Sequence, residues 1–356
     1  MNEILPFRID VPQADLDDLF ARLARTRWPD SWPDDDYGIS ASVMHRLVER
    51  WQRFDWPEAE RELNRFPQFS TVIDGQRMHF VHVRCERADA LPLILTHGWP
   101  GSFIEFSRVI EPLSRDFHLV IPSIPGFGFA GATGERGWGQ ERVARAFAEL
   151  MRRLGYDRYG AQGGDWGAGI SRALAATAPD AVVGVHVNYL PTPGDPSEVS
   201  GSDRERVDKT NAYAANRPGY QVVHATHPQT VGYALTDSPV GQLAWLADWF
   251  TRWSDPATPI DDDTILTDTT IYWLTGTAAS SSRLVKESGR GPSPCPVPMA
   301  VAVLPHDIVQ AVRPLAERRY DIRQWTEFPR GGHFAALEVP DLFVTDVRRF
   351  FTTVVR

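Results

Sequence analysis

An aspartate between small residues forms the pattern in this chain with the clearest chemical potential. Residues 163–167 read GGDWG, with Asp165 at the centre. A tight turn between a strand and a helix needs small neighbours, and it lifts the central side chain off the sheet. A carboxylate in that position attacks a carbon electrophile directly and forms an ester, which a second step must hydrolyse. Capping of the following helix would explain Asp165 but not the glycines around it.

A second group of residues could hold the negative charge that develops when an ester carbonyl is attacked. Residues 97–102 read HGWPGS and directly follow a short apolar run. Where such a nucleophile turn occurs, one backbone N–H of this loop and one just after the nucleophile form an oxyanion hole. The predicted donors are the N–H groups of Trp99 and Trp166. Taken alone, the loop is also compatible with an ordinary Gly-Pro turn.

A histidine and a second acid complete the pattern. His333, in the run RGGHF, stands out among ten histidines by its place between the last predicted strand and the last predicted helix. Asp307 follows the preceding predicted strand, where it could orient and stabilise His333. The order Asp165, Asp307, His333 is the nucleophile–acid–base order of α/β hydrolases. Asp321 and Glu327 are weaker candidates for the acid, because both lie in or beside the next strand.

The elements that must position these residues alternate between strand and helix. Short apolar runs are typical of buried strands, and they alternate with helical patterns such as residues 143–154. This alternation predicts an α/β fold with a mainly parallel sheet flanked by helices. The predicted strands are residues 91–96, 117–122, 182–187, 297–304 and 321–328. A closing helix is predicted at about residues 340–351.

Two segments depart from the alternation. Residues 1–90 are predicted to form an N-terminal segment that wraps another part of the protein, with helices and, at 69–83, a hairpin that turns at Asp74-Gly75. Residues 191–296 are rich in Trp, Tyr, Asp and Pro and are predicted to form a helical cap. The expected division is an N-terminal segment at 1–90, a first part of the hydrolase core at 91–190, the cap at 191–296 and a second part of the core at 297–356.

Composition and charge exclude several classes of protein. The chain has 356 residues, of which 42% are hydrophobic and 23% charged, as in an ordinary globular protein. Its net charge of −9 argues against a nucleic-acid partner, because phosphate backbones are repelled. No run reaches the ~18 apolar residues of a membrane span, and the N-terminus lacks the pattern of a secretory signal. We therefore expect a cytoplasmic protein.

The sequence does not predict a metal site or a bound cofactor. Cys85 and Cys295 are the only cysteines, too few for a disulfide framework or a cysteine-based zinc site. His79 and His82 are close in sequence, but residues three apart on a strand point to opposite faces. They are therefore not expected to share an ion.

Beyond these separate motifs, the chain resembles the epoxide hydrolases of the microsomal and juvenile-hormone type, which have the α/β-hydrolase fold. The resemblance extends over nearly the whole chain, and we expect the membrane anchor of the animal relatives to be missing. The segments that carry the resemblance are residues 6–9 (PFRI), 55–56 (DW), 66–69 (FPQF), 97–102 (HGWPGS), 125–129 (PGFGF), 163–167 (GGDWG), 237–241 (DSPVG), 272–273 (YW) and 330–338 (RGGHFAALE).

The resemblance implies that the chain hydrolyses a small apolar epoxide with water as its co-substrate. Asp165 would open the ring, and a cap tyrosine, matched here by Tyr220, would donate a hydrogen bond or a proton to the epoxide oxygen. His333, oriented by Asp307, would then activate water to hydrolyse the ester. The predicted oxyanion hole would hold the charge that develops in that step.

One position departs from the family pattern. Relatives usually carry a second cap tyrosine just before a Lys-Glu pair, whereas here Val285 precedes Lys286-Glu287. A valine cannot donate to an epoxide oxygen. Either Tyr220 acts alone, or Tyr272 or Tyr233 supplies a second donor.

The tryptophans of the cap allow two interpretations. Trp245, Trp249 and Trp253 recur at four-residue spacing in a helix predicted at 242–253, so they share one face. That face either packs onto the core or lines an apolar pocket.

Two other functions stay open from the sequence. A haloalkane dehalogenase also uses an Asp followed by Trp, and it needs no proton donor. A non-enzymatic binding protein on a hydrolase fold would have no need for a nucleophile, an acid and a base together. A homodimer is compatible with the sequence.

Overall fold

The strands of the protein build a single sheet. The computed structural model describes residues 3–30, 37–289 and 293–354. Within these residues the strands are β1 Leu5–Phe7, β2 Gln68–Ile73, β3 Gln76–Val83, β4 Pro92–Thr96, β5 His118–Pro122, β6 Tyr159–Gly163, β7 Val182–Val187, β8 Met299–Val303 and β9 Ile322–Glu327. Their order across the sheet is β1-β2-β3-β5-β4-β6-β7-β8-β9.

Strands β4 to β9 pair in parallel, which confirms the predicted α/β class and the mainly parallel sheet. Strands β1 to β3 extend the sheet in the antiparallel direction. The short strand β1 has no counterpart among the predicted elements. It pairs with β2 from Leu5 opposite Ser70 to Phe7 opposite Gln68.

Helices connect and cover the strands. In the described residues they are α1 Gln13–Ala24, α2 Ala41–Trp51, α3 Trp56–Leu63, α4 Ile110–Ser114, α5 Gln140–Arg153, α6 Asp165–Thr177, α7 Ser202–Ala215, α8 Gly219–Thr226, α9 Pro228–Asp237, α10 Pro239–Trp253, α11 Asp262–Thr275, α12 Ala278–Glu287, α13 Arg313–Ala316, α14 Ala335–Glu338 and α15 Pro340–Arg349. Short 3₁₀-helices lie at Phe103–Phe106, Gly128–Ala130 and Pro196–Glu198, and a π-helical turn at Phe350–Val354 follows α15. Throughout the described ranges, none of the helices is both long and apolar enough to cross a lipid bilayer.

Strand β4 illustrates how the centre of the sheet is buried on both faces. All of its residues are buried. Leu93 and Leu95 pack in one hydrophobic cluster and Ile94 in the other, as the alternation of side chains along a strand requires. Side chains of α5 and α6 belong to the cluster of Ile94, and side chains of α4 and α15 belong to the opposite one. Two packed layers therefore hold the strand ends in place.

The predicted hairpin is confirmed. Ile73 pairs with Gln76 across the two-residue turn Asp74-Gly75. Both turn residues have positive φ, 51° at Asp74 and 73° at Gly75. Two left-handed residues give a turn whose twist matches that of the two strands.

Between β7 and β8 the chain leaves the sheet and forms α7 to α12, which confirms the predicted helical character wherever residues 191–296 are described. Helix α10 begins at Pro239, earlier than the predicted start at residue 242. The reason is Ser238, whose hydroxyl caps the helix by accepting the N–H of Gly241 at 3.0 Å.

The N-terminal helices pack against these inserted helices. Trp51 of α2 is buried, and its indole N–H donates to the hydroxyl of Thr270 on α11 at 2.8 Å. Arg50 forms an ion pair with Asp263 at 2.5 Å on the surface nearby. The N-terminal segment therefore contacts the inserted helices as well as the sheet.

Candidate active site

Asp165 lies at the turn from β6 into α6, as the sequence predicts. Its φ of 46° lies in the left-handed region, which a residue with a side chain rarely adopts. The flanking glycines are needed because a Cβ on Gly163 would overlap the backbone of Gly167, and a Cβ on Gly167 would overlap the carbonyl of Thr96. The tight turn presents the carboxylate of Asp165 to the loop that follows β4.

The loop after β4 supplies a backbone donor to that carboxylate. The N–H of Trp99 donates to Oδ1 of Asp165 at 2.9 Å. Gly98 permits this approach, because a Cβ there would overlap the same carboxylate. Trp166 lies in the first turn of α6, where a backbone N–H has no partner within the helix. These positions fit the two oxyanion donors that the sequence suggests.

His333 lies between two carboxylates. Its Nδ1 is 2.6 Å from Oδ1 of Asp307, and its Nε2 is 3.4 Å from Oδ2 of Asp165. Burial acts to lower the pKa of His333, but the charges and hydrogen bonds of the two carboxylates outweigh burial and raise it to about 10. The structure therefore brings the predicted nucleophile, base and acid together.

The weaker candidates for the acid have other partners. Asp321 pairs with Arg323 at 2.7 Å, and Glu327 pairs with Arg206 at 2.8 Å. Among the described residues, the carboxylates within ion-pair distance of His333 belong to the nucleophile and to Asp307.

A buried carboxylate fixes the loop that carries the histidine. Glu338 accepts the N–H groups of the residues on either side of His333, at 2.8 and 2.9 Å, and the N–H of Asp255 at 2.7 Å. The N–H of His333 itself donates to the carbonyl oxygen of Trp253, the last residue of α10, at 2.9 Å. Burial raises the pKa of Glu338 to about 7, although the N–H donors oppose this shift. The backbone of the histidine is thus bonded directly to an inserted helix.

Tyr220 of α8 is held in a cluster of aromatic rings. Its ring stacks on the indole of Trp99, with centroids 4.7 Å apart and planes at 13°. It also contacts Trp249 at 4.4 Å and Trp253 at 5.7 Å. Trp253 in turn packs against His333 at 5.1 Å. Burial raises the pKa of Tyr220 well above its ordinary value.

The tryptophan face of α10 packs onto the hydrophobic core, which is one of the two interpretations given above. Trp249 and Trp253 contact the ring of Tyr220, and Trp253 also contacts His333. Trp245 lies further along the helix and donates its indole N–H to Nε2 of the buried His224 at 3.0 Å. One end of the face therefore borders the site, and the other end packs within the inserted helices.

The alternative cap tyrosines are not placed to donate to a substrate. Tyr233 is 72% exposed on α9, so the suggestion that it acts at the site is wrong. Tyr272 is fully buried, and its hydroxyl already donates to the carbonyl oxygen of Gly101 at 2.8 Å. Val285 lies half-buried on α12.

Two further tyrosines near the nucleophile escape sequence reasoning. Tyr213, on α7, is half-buried. The ring of Tyr189 packs edge-on against His333, with centroids 5.3 Å apart. Burial raises the pKa of Tyr213 to about 12 and that of Tyr189 well above its ordinary value. Tyr189 closely follows β7, and this position at the carboxyl edge of the sheet is a signal that could have identified it.

A buried carboxyl group and a half-buried one lie beside the Trp99 loop. The hydroxyl of Ser102 donates to Asp268 of α11 at 2.5 Å, and the N–H of Gly98 donates to Glu105 at 3.4 Å. Burial raises the pKa of each carboxyl group to about 8. Burial therefore favours the protonated form of both carboxyl groups.

The histidines of β3 are engaged elsewhere. His79 hydrogen-bonds to Ser123 and Gln68, both at 2.8 Å, whereas His82 hydrogen-bonds to Tyr156 at 2.8 Å. In the part of the chain that the structure describes, no group of three or more His, Cys, Asp or Glu side chains could hold a metal ion.

Comparison with known proteins identifies the family. Residues 4–106 match the family model described as the epoxide hydrolase N terminus, and residues 92–204 match the alpha/beta hydrolase fold. A putative epoxide hydrolase from Stigmatella aurantiaca is 42% identical over 377 aligned positions, which cover 98% of this chain and 84% of the relative. The juvenile hormone epoxide hydrolase 2 of Ctenocephalides felis is 33% identical, with 96% and 84% covered.

Solved structures agree with the sequence relatives. The juvenile hormone epoxide hydrolase of the silkworm Bombyx mori superposes with a TM-score of 0.92 at 29% identity, covering 99% of this chain and 95% of that one. The Aspergillus niger epoxide hydrolase gives a TM-score of 0.90 at 30% identity, with 99% and 97% covered. With these relatives spanning nearly its whole length, the chain is a member of the epoxide hydrolase family of α/β-hydrolase enzymes.

Proposed function

We propose that this enzyme converts a small apolar epoxide to a vicinal diol through a covalent ester on Asp165. The observation that carries the proposal is the carboxylate of Asp165, which is presented by its turn and held between the N–H of Trp99 and the ring of His333. A nucleophile in contact with both an oxyanion donor and a base is what a two-step displacement requires.

In the first step Asp165 attacks one carbon of the epoxide ring. Its Oδ1 is held by Trp99, so Oδ2 forms the new carbon–oxygen bond. The ring carbon–oxygen bond breaks, and its electron pair passes to the epoxide oxygen. Tyr220, whose ring is fixed against Trp99 and Trp249, donates a hydrogen bond or a proton to that oxygen.

In the second step His333 takes a proton from water, and the water oxygen attacks the carbonyl carbon of the ester. The N–H groups of Trp99 and Trp166 hold the oxyanion, and each such donor is typically worth about 3–4 kcal/mol. Asp307 stabilises the imidazolium ion that forms. Collapse of the intermediate releases the diol and restores Asp165.

The charge on Asp165 couples the two steps. In the free enzyme the carboxylates of Asp307 and Asp165 hold the pKa of His333 at about 10 despite burial. Formation of the ester removes the charge of Asp165, so the pKa of His333 falls and the neutral imidazole becomes more populated. His333 therefore becomes a better base at the stage when an ester is present to be hydrolysed.

The surroundings of the nucleophile suit an apolar substrate. Tyr220, Trp249, Trp253 and Trp99 present aromatic surface beside it, and such surface binds apolar groups. We assign the inserted helices the role of a cap over the hydrolase core. The proposed steps use no metal or cofactor.

The proposal can be tested with two substrates and one isotope. Purified protein is incubated with styrene oxide and, separately, with a 1-haloalkane, and diol and halide are measured. We expect diol from the epoxide. Halide release without any diol would instead indicate a dehalogenase.

A single turnover of styrene oxide in ¹⁸O-water then distinguishes the ester route from direct attack by water. Through the ester, the label enters the carboxylate of Asp165, and the first diol released is unlabelled. Label in that first diol would contradict the covalent step. The variant Asp165→Ala serves as the control for uncatalysed hydrolysis.

A further inference from the structure

The oxyanion loop, residues 97–102 after β4, has little freedom in its position. All of its residues are buried. The N–H of Trp99 donates to Oδ1 of Asp165 at 2.9 Å, and a Cβ on Gly98 would overlap the same carboxylate. The hydrogen bond and the close contact together leave the loop little room to shift without losing its bond to the nucleophile.

Helix α11 makes two side-chain hydrogen bonds to the far end of the oxyanion loop. The hydroxyl of Ser102 donates to Oδ1 of Asp268 at 2.5 Å, and the hydroxyl of Tyr272 donates to the carbonyl oxygen of Gly101 at 2.8 Å. Asp268 and Tyr272 lie four residues apart, so they share one face of the helix. Both side chains are buried. One face of α11 therefore holds two consecutive residues of the loop.

Helix α11 is itself fixed from two other elements. Trp51 of α2 donates its indole N–H to the hydroxyl of Thr270 at 2.8 Å, and the side-chain amide of Gln242 on α10 donates to the carbonyl oxygen of Thr269 at 2.9 Å. All four residues are buried. These bonds join α11 to the N-terminal segment and to a neighbouring inserted helix. The helix can therefore act as a fixed support for the loop.

Packing alone does not explain an acid at position 268. Asp268 is 1% exposed, and within the part of the chain that the structure describes its Oδ2 has no hydrogen-bond partner. Burying a carboxyl group with incomplete hydrogen bonding costs free energy, whereas an apolar side chain would not incur that cost. What the buried acid contributes is the hydrogen bond to Ser102, and a role in fixing the loop explains its presence.

We infer that Asp268 and Tyr272 are positioning residues for the oxyanion hole, because they hold the oxyanion loop where the N–H of Trp99 meets Oδ1 of Asp165. This inference rests on the proposed epoxide hydrolysis. Both residues act through the backbone of the loop and not on the substrate.

The two chemical steps depend differently on the position of the loop. In alkylation Oδ2 of Asp165 bonds to carbon, and the carboxylate loses its charge. In hydrolysis water attacks the carbonyl carbon, and the electron pair of the carbonyl bond moves onto Oδ1. A hydrogen bond to an ionised acceptor is about twice as strong as a neutral one, so the N–H of Trp99 is needed most when this oxyanion forms. A displaced loop should therefore slow hydrolysis of the ester more than its formation.

Single-turnover kinetics separate these two steps. Enzyme in excess over styrene oxide is quenched at successive times, and intact-protein mass spectrometry follows the rise and decay of the ester. The variants are Asp268→Leu, which removes the acceptor, and Tyr272→Phe, which removes one hydroxyl. The controls are Asp268→Asn, which keeps an acceptor oxygen, and Tyr233→Phe, which removes an exposed hydroxyl. Thermal unfolding verifies that each variant is folded.

We expect Asp268→Leu and Tyr272→Phe each to slow decay of the ester by about 10- to 100-fold, since a misplacement of about 1 Å can cost up to about 100-fold in rate. Formation of the ester should change much less, so the ester accumulates and both kcat and KM fall. Asp268→Asn should keep most of the rate of ester decay, because its side-chain oxygen still accepts the hydroxyl of Ser102. Tyr233→Phe should match the wild type in both steps.

Hydrogen–deuterium exchange reports on the position of the loop without any reaction. In Asp268→Leu and Tyr272→Phe the amide of Trp99 should exchange faster than in the wild type, because its hydrogen bond to Asp165 is weakened. Exchange is measured by mass spectrometry on peptides that contain residues 97–102. Asp268→Asn and Tyr233→Phe should exchange at the wild-type rate.

Three results would overturn the inference. If folded Asp268→Leu and Tyr272→Phe hydrolyse the ester at the wild-type rate, α11 only stabilises the fold. If both steps slow equally, the variants displace the whole site and not the oxyanion loop. If Asp268→Asn is as slow as Asp268→Leu, the acceptor for Ser102 is not what matters.

Failure of the proposed function has a different signature, since the wild-type enzyme would then form no ester. The exchange of the Trp99 amide would still decide whether α11 positions the loop. Faster exchange in Asp268→Leu and Tyr272→Phe would support that role, and unchanged exchange would refute it.

Discussion

The N–H of Trp99 donates to Oδ1 of Asp165 at 2.9 Å, although the two residues lie 66 positions apart in the chain. The donor that we propose for the oxyanion is therefore in place before any substrate arrives. A donor fixed in advance needs no reorganisation during the reaction, which is the main advantage of preorganised sites. The other oxygen of the carboxylate, Oδ2, lies 3.4 Å from Nε2 of His333.

Gly98→Ala should inactivate the enzyme without changing any side chain of the triad. The added Cβ would overlap the carboxylate of Asp165, so the nucleophile or the loop must move. A loss of one oxyanion contact alone typically costs 10²- to 10³-fold in rate, and we expect about that loss or more in diol formation. Gly219→Ala is the matched control, because a Cβ there meets nothing within 4 Å. Equal activity of the two variants would show that the close approach at Gly98 is unimportant.

Asp165→Ala should abolish turnover, because it removes the atom that bonds to the substrate. Loss of a nucleophile that acts with its base commonly lowers kcat by about 10⁴-fold or more. Diol formation from styrene oxide measures this loss, and intact-protein mass spectrometry should detect no adduct. Substantial diol formation by the variant would mean that water attacks the epoxide directly.

His333→Gln should separate the two chemical steps. Glutamine cannot act as the base, whereas alkylation needs only the carboxylate of Asp165 and the proposed donor Tyr220. We expect one substrate-mass adduct per chain to accumulate, and peptide mapping should locate it on Asp165. An unmodified protein that still binds the epoxide would argue against an ester intermediate.

Asp268→Asn should change the pH dependence of stability. Burial raises the pKa of Asp268 from 3.8 to about 8, so the folded state binds a proton that the unfolded state releases. The free energy of unfolding of the wild type should therefore fall as the pH rises from about 4 to about 8 through this group. Asparagine does not titrate. The free energy of unfolding of the variant, relative to that of the wild type, should therefore rise between pH 6 and pH 8.

Urea unfolding at pH 6 and at pH 8 measures how the free energy of unfolding of Asp268→Asn differs from that of the wild type. The exposed Asp157 provides a control. The free energy of unfolding of Asp157→Asn should differ from that of the wild type by the same amount at pH 6 and at pH 8. A difference for Asp268→Asn that is independent of pH would show that this carboxyl group is not held in its protonated form.

The residues that short sequence motifs could predict are those at the ends of strands. Asp165 needs small neighbours at a tight turn, and His333 and Asp307 each follow a strand, so local pattern and element order were sufficient to suggest them. The structure brings these three side chains together. The antiparallel strand β1 was missed because three residues are too few to show a periodic pattern.

The residues that sequence could not predict depend on how distant helices approach each other. Trp253 lies at the end of α10, and nothing local indicates that its ring packs against His333. Glu338 lies in a recognised segment, but its bond to the N–H of Asp255 links two parts of the chain 83 residues apart. Such contacts follow from tertiary packing, which the spacing of residues along the sequence does not predict.

The hydrogen bond from the N–H of His333 to the carbonyl of Trp253 bears on how new variants of this enzyme could be engineered. Chimeras that exchange the helical region between relatives, in order to change which substrates are accepted, would also replace the residue that anchors His333, the proposed general base. A transplanted region should therefore be joined beyond Asp255 and matched to a loop carrying Glu338, so that both ends of the anchor come from one parent.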